Sequence, residues 1–101
     1  MMFGMPEKSI SLLVGALSRW PEINKAAFFG SRAMGNYKNG SDVDLVLYGS
    51  QLTPKILNDL SILLNEELPL PYYFDIVHYE ALKHGALKDH IDEYAKCFYC
   101  C

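Results

Sequence analysis

Residues 30–45 read GSRAMGNYKNGSDVDL, and the rest of the chain falls into place around them. The stretch leaves one apolar run, KAAFF at 25–29, and ends inside a second, VDLVLY at 43–48. Short apolar runs bounded by turn residues predict two strands. A glycine–serine turn leaving a strand lets backbone N–H groups come close to phosphate oxygens. Asp42 and Asp44 stand at i and i+2, so on a strand both carboxylates leave the same face. A phosphate cradle beside paired carboxylates predicts a metal-dependent site for a nucleoside triphosphate.

The alternation along the second strand supports this reading. Asp42, Asp44, Val46 and Tyr48 share one face, while Val43, Leu45 and Leu47 share the other. One face thus changes from acidic to apolar along its length, for which a purely structural strand has little reason. Two carboxylates roughly 5 Å apart repel by about 3 kcal/mol at an effective dielectric near 20. A divalent cation relieves that repulsion, and oxygen-only ligands suit Mg²⁺ or Mn²⁺. Between the two strands Ser31 is placed to cap a short helix, SRAMGNYK, and Arg32 to face either phosphate or a surface carboxylate. The NYKNGS segment at 36–41 has turn chemistry and predicts a mobile loop.

Outward from this stretch, Ile10, Leu13, Val14, Leu17 and Trp20 recur at helical spacing and predict a helix over 7–19, stopped by Pro21. Thr53 and Pro54 predict a helix cap and first helical residue. Ile56, Leu57, Leu60, Leu63 and Leu64 form that helix's apolar stripe. YYFDIV at 72–77 predicts a third strand, on which Asp75 shares a face with Tyr73 and Val77. An aspartate there is expensive to bury without a partner, and a metal or general-base role would compensate it. Residues 80–93 predict a last helix weakened by Gly85, and AKCFY at 95–99 a last strand. His78, His84 and His90 are spaced six apart, which argues against a shared histidine metal site.

The 101 residues predict one domain, and half of them are hydrophobic, enough for a real core. A formal charge of −3 with scattered basic residues argues against sequence-independent binding to nucleic acid. No apolar run approaches the roughly 20 residues that span a bilayer, and the N-terminus has no secretory pattern, so a cytoplasmic protein is expected. Cys97, Cys100 and Cys101 lie too close together for a disulfide framework and lack a fourth nearby zinc ligand. They are expected as reduced thiols, partly buried on the last strand.

Gly30-Ser31, ten residues, then Asp42-Val43-Asp44, with Asp75 on a later strand, resembles the signature of the nucleotidyltransferase superfamily that includes DNA polymerase beta. The spacing is similar to that of its small members, the minimal nucleotidyltransferase (MNT) family. The resemblance implies an α+β nucleotidyltransferase fold, a small mixed sheet packed by helices in the order α-β-α-β-α-β-α-β. It implies Asp42, Asp44 and Asp75 as catalytic and metal-binding residues for Mg²⁺ or Mn²⁺. Asp75 would complete a second metal site or take the nucleophile's proton. Gly30, Ser31 and Arg32 become the nucleotide-binding residues, and the reaction the transfer of a nucleoside monophosphate, AMP from ATP, to a hydroxyl. Met34 departs from the family, which often has a basic residue there. Small members commonly act as antitoxins beside a helical HEPN protein and in some cases modify its tyrosine. A HEPN-type partner or a homodimer is therefore expected to complete the acceptor site. A partner-binding module with a weak or vestigial site, and a nucleotide sensor without turnover, are the competing readings.

Overall fold

The structure is a computed structural model that describes residues 4–35 and 42–100. The chain runs α1 (Glu7–Leu17), β1 (Lys25–Phe29), α2 (Ser31–Met34), β2 (Val43–Tyr48), α3 (Pro54–Ile62), β3 (Phe74–His78), α4 (Ala86–Tyr94) and β4 (Lys96–Cys100). This is the anticipated α+β order. The four strands form one mixed sheet in the order β3-β2-β1-β4. β1 is antiparallel to both β2 and β4, whereas β2 and β3 are parallel. The parallel pair needs a crossover, and α3 supplies it.

Each sheet face follows the alternation in the sequence. Phe28, Val43, Leu45, Leu47 and Phe74 bury against Leu13 and Leu17 of α1 and Leu60 of α3. Phe28 also stacks on Phe98 of β4, ring centroids 4.2 Å apart. The opposite face carries Ala27, Phe29 and Val46, covered by Ile91 of α4. The acidic end of β2 lies on this second, more thinly covered face.

Local chemistry sets the helix ends. Thr53 caps α3 as anticipated, its hydroxyl accepting the Ile56 N–H at 3.2 Å, with Pro54 as the first helical residue. α3 widens into a π-helical turn, Leu63–Glu67, before the prolines. There Asn65 meets the start of β3: its Oδ1 accepts the Phe74 N–H at 2.7 Å and its Nδ2 donates to the Phe74 carbonyl at 3.1 Å. Val43 N–H donates to the Tyr73 carbonyl, so the parallel ladder leaves Phe74's polar groups facing outward. Asn65 satisfies them both.

The last helix starts later than its apolar residues suggest, at Ala86. Tyr79–Ala81 instead form a 3₁₀ turn. Contacts to other elements hold it, among them Tyr79 stacking on Tyr48 at 4.7 Å and Glu80 accepting the Gly49 N–H at 3.0 Å. Likewise β3 begins at Phe74 rather than at residue 72. Cys97 and Cys100 are exposed, free thiols because β4 is an edge strand, which corrects the partly buried expectation. The anticipated loop at 36–41 and Cys101 lie outside the described residues. No described helix is long and apolar enough to cross a membrane.

Candidate active site

Strand register assembles the site. Phe29 pairs with Asp44 across the antiparallel β1–β2 ladder, and Asp44 pairs with Asp75 across the parallel β2–β3 ladder. Paired residues in neighbouring strands project from the same face. Asp44 and Asp75 therefore stand side by side although thirty residues separate them, and Asp42 precedes Asp44 at the mouth of β2. Asp44 is half-buried in the row, while Asp42 and Asp75 are exposed. Burial, then the charges of Asp75 and Asp42, push the Asp44 carboxyl above its ordinary value of 3.8. The three carboxylates thus share an electrostatic neighbourhood.

The turn after β1 is shaped around Asp44. Gly30 has φ +71° and ψ −150°, a conformation that side chains resist. A Cβ at Gly30 would also collide with the Asp44 carboxylate. Gly30, and not Ser31, occupies the cap position of α2, and no side chain caps this helix. Ser31 is instead the first helical residue, half-buried beside the carboxylate row. The Gly30 carbonyl accepts the Met34 N–H at 3.1 Å, and Gly35 closes the turn in the left-handed region at φ +79°.

Arg32 turns inward. It is only 3% exposed, and its guanidinium lies 5.1 Å from the centre of the Tyr72 ring, a cation–π contact. Met34, by contrast, is 51% exposed on the outer side of α2. The helix therefore presents a thioether to solvent at this position.

Sequence reasoning missed His90. The Gly30 N–H donates to its Nε2 at 3.2 Å, across sixty residues of chain. The imidazole stands edge-on to Phe29, 6.3 Å between centroids, and against Tyr94 at 5.1 Å. Its six-residue spacing from His84 only argued against a histidine cluster, and nothing local signals a tie to a glycine on β1. The three histidines indeed serve separate places: His78 Nε2 lies 2.8 Å from the Gly49 carbonyl, and His84 is exposed ahead of α4.

Among the described residues no three His, Cys, Asp or Glu side chains converge closely enough to enclose a metal ion. The donors are nevertheless of the right kind for a hard divalent cation. They are carboxylate oxygens on neighbouring strand positions, one of them held above its ordinary pKa by burial and then by the others.

A family model described as polymerase beta, nucleotidyltransferase matches residues 13–101. A search of curated proteins finds no match. Among solved structures, a toxin–antitoxin complex with AMP-PNP is 19% identical with a TM-score of 0.74, covering 96% of this chain and 75% of that one. The toxin–antitoxin MntA-HepT is 15% identical with a TM-score of 0.71, covering 95% and 74%. A tri-AMPylated HEPN toxin of Shewanella oneidensis in complex with MNT antitoxin is also 15% identical, with a TM-score of 0.71 and coverage of 96% and 74%. At these identities the likeness is one of fold.

Proposed function

The chain belongs to the polymerase beta nucleotidyltransferase family, and from that premise we propose that it transfers a nucleoside monophosphate, AMP from ATP, to a hydroxyl acceptor with the help of Mg²⁺. The observation that carries this reading is the Phe29–Asp44–Asp75 row, with the Asp44 carboxylate lodged against Gly30. A strained glycine packed on a half-buried aspartate, next to a second aspartate, is costly for a strand that only builds a sheet.

Asp42 and Asp44 are the residues that would hold the cation, with Asp75 within reach of the same charge. When bound, Mg²⁺ would offset part of the triphosphate charge and favour in-line displacement at the α-phosphorus, in which the bond to the acceptor oxygen forms as pyrophosphate leaves. The chain's own residues do the rest. The missing Cβ of Gly30 makes room for the Asp44 carboxylate, and Ser31, the first helical residue after it, offers a hydroxyl to the phosphates. Asp75, exposed on an edge strand, is open to an incoming hydroxyl and suited to accept its proton. Arg32, held beneath Tyr72, supports the turn from inside.

The acceptor we propose is a tyrosine of a helical HEPN-type protein, by analogy with the AMPylated toxin held by a similarly folded MNT antitoxin. Incubating the pure protein with Mg²⁺ and α-labelled ATP, with and without lysate of its source, tests the reaction. Label that reaches a protein with the unmutated chain, but not with Asp42→Asn/Asp44→Asn, supports transfer. A folded protein that moves no label, with any NTP or lysate, sinks it.

One observation favours a second reading, a partner-binding module with a weak site. The turn points Arg32 inward and Met34 outward, which weakens its claim on a triphosphate. Mg²⁺-dependent ATP binding that Asp42→Asn abolishes separates the two, because a vestigial site shows none.

A further inference from the structure

We propose that His90 is a positioning residue of the signature turn: its Nε2 lone pair holds the Gly30 N–H, and so holds the kinked backbone that seats the Asp44 carboxylate.

The contact joins the last helix to the first strand, 3.2 Å from Gly30 N to His90 Nε2. A backbone N–H can only donate, so Nε2 must accept, and the neutral ring carries its proton on Nδ1. Two aromatic neighbours fix the plane of the ring: Phe29, one residue before the glycine, meets it edge-on, and Tyr94 lies one helical turn beyond it. Ile91, the neighbouring residue, is the buried anchor of α4 on Ala27, Phe29 and Val46. The imidazole is thus held by packing on both sides and aimed at one backbone group.

What it holds has little freedom of its own to remain in place. Gly30 sits at φ +71° and touches Asp44, and a glycine samples many other backbone states at small cost. Without an acceptor for its N–H, the turn can rotate away from the carboxylate. A partner that fixes the orientation of a functional group typically matters by about 10–100-fold in activity or affinity. His90 acts through Gly30 and Asp44 and is not asked to touch the nucleotide.

The activity readout rests on the transferase reading; the spectroscopic one does not. Nitrogen-15 spectra of the imidazole in the full chain should show His90 as the Nδ1–H tautomer, coupled to the Gly30 amide; the Nε2–H tautomer overturns the proposal. Two variants then separate acceptor from packing. His90→Phe keeps an aromatic body between Phe29 and Tyr94 but removes the lone pair. His90→Gln keeps an acceptor of similar reach. The Gly30 amide should lose its hydrogen-exchange protection in His90→Phe and regain part of it in His90→Gln. Label transfer should fall by about tenfold or more in His90→Phe, through kcat more than KM for ATP, and recover in His90→Gln. Equal transfer and equal Gly30 protection in His90→Phe and the unmutated chain overturn the assignment. Should the unmutated chain transfer nothing, the tautomer and the Gly30 amide still decide the role of His90.

Discussion

Gly30 and Asp44 make a single lock. The glycine's φ of +71° is unfavourable for any side chain, and its hydrogen faces the carboxylate where a methyl group would clash. Gly30→Ala should therefore cost about 1–3 kcal/mol in denaturant melts and abolish transfer, because relief of the clash moves Asp44. An unchanged melt would mean that the turn relaxes freely. Asp44 behaves in the opposite way. Burial and the charges of Asp75 and Asp42 raise its folded-state pKa above its unfolded value of 3.8. The ionised form consequently costs stability at neutral pH, and acidification through the raised pKa towards 3.8 relieves that cost. Asp44→Asn should then be at least as stable as the unmutated apo protein near neutral pH, with the difference shrinking as pH falls to about 4. Its label transfer should fall by at least about 100-fold, the scale of losing one charge contact in a transition state. Urea melts at the two pH values check the first expectation, and loss of stability in Asp44→Asn at neutral pH would contradict it.

Edge strand β3 carries Asp75 but borrows its fixing from α3. Asn65 closes both outward polar groups of Phe74, one residue before the aspartate. Asn65→Ala leaves a buried N–H and carbonyl without that partner and should cost about 1–3 kcal/mol, with broadened or shifted resonances at Asp75. A cost under a few tenths would show that water replaces the amide. A second tie holds the other end of the strand, where Tyr79 donates to the Asp92 carboxylate at 2.6 Å and its own ionisation is pushed up to about 12. A raised phenol pKa adds stability below pH about 10 that is lost as pH rises through about 12. Ultraviolet titration should show Tyr79 ionising late, at about 12, and Asp92→Asn should bring it back toward the ordinary range, while Tyr48, raised chiefly by burial, stays late. Neither tie was legible in the sequence. The strands at 25–29 and 43–48 were legible because apolar alternation and flanking turns specify them locally. So was the cap of α3, which needs only Thr53 and Pro54. The resemblance named Asp75 as the third carboxylate, but its pairing with Asp44 is a matter of strand register, which a sequence does not print. Asn65, by contrast, reads as one polar residue in a helix, and His90 as one histidine beside an apolar stripe. Their partners are backbone groups, and a backbone group leaves no mark in a sequence. The start of the last helix was misplaced for the same reason, since Glu80 is held by the Gly49 amide rather than by its own helix.

The sheet is covered unequally, and the site lies on the weaker side. On one face α1 and α3 bury Leu13, Leu17, Leu60 and further residues. On the other, α4 contributes Ile91 as its one buried residue among those described. Local opening is easiest where few apolar contacts oppose it. α4 should therefore open well below the free energy of global unfolding, and each opening withdraws His90 from Gly30. Amide exchange should then be faster in α4 than in α1 in the apo protein. Mg²⁺ with ATP binds only the closed arrangement under this reading, and at about 100-fold excess over Kd it should add about 2.7 kcal/mol of stability. The added protection should appear in α4 and the Gly30 turn, with α1 little changed, and a chelator should remove it. Ile91→Ala, expected to cost about 2–5 kcal/mol where α4 is docked, should raise α4 exchange and lower transfer while the α1–α3 side stays protected. Equal protection of α1 and α4 in the apo protein would break this link, because the last helix would then be a fixed wall of the site and not its movable cover.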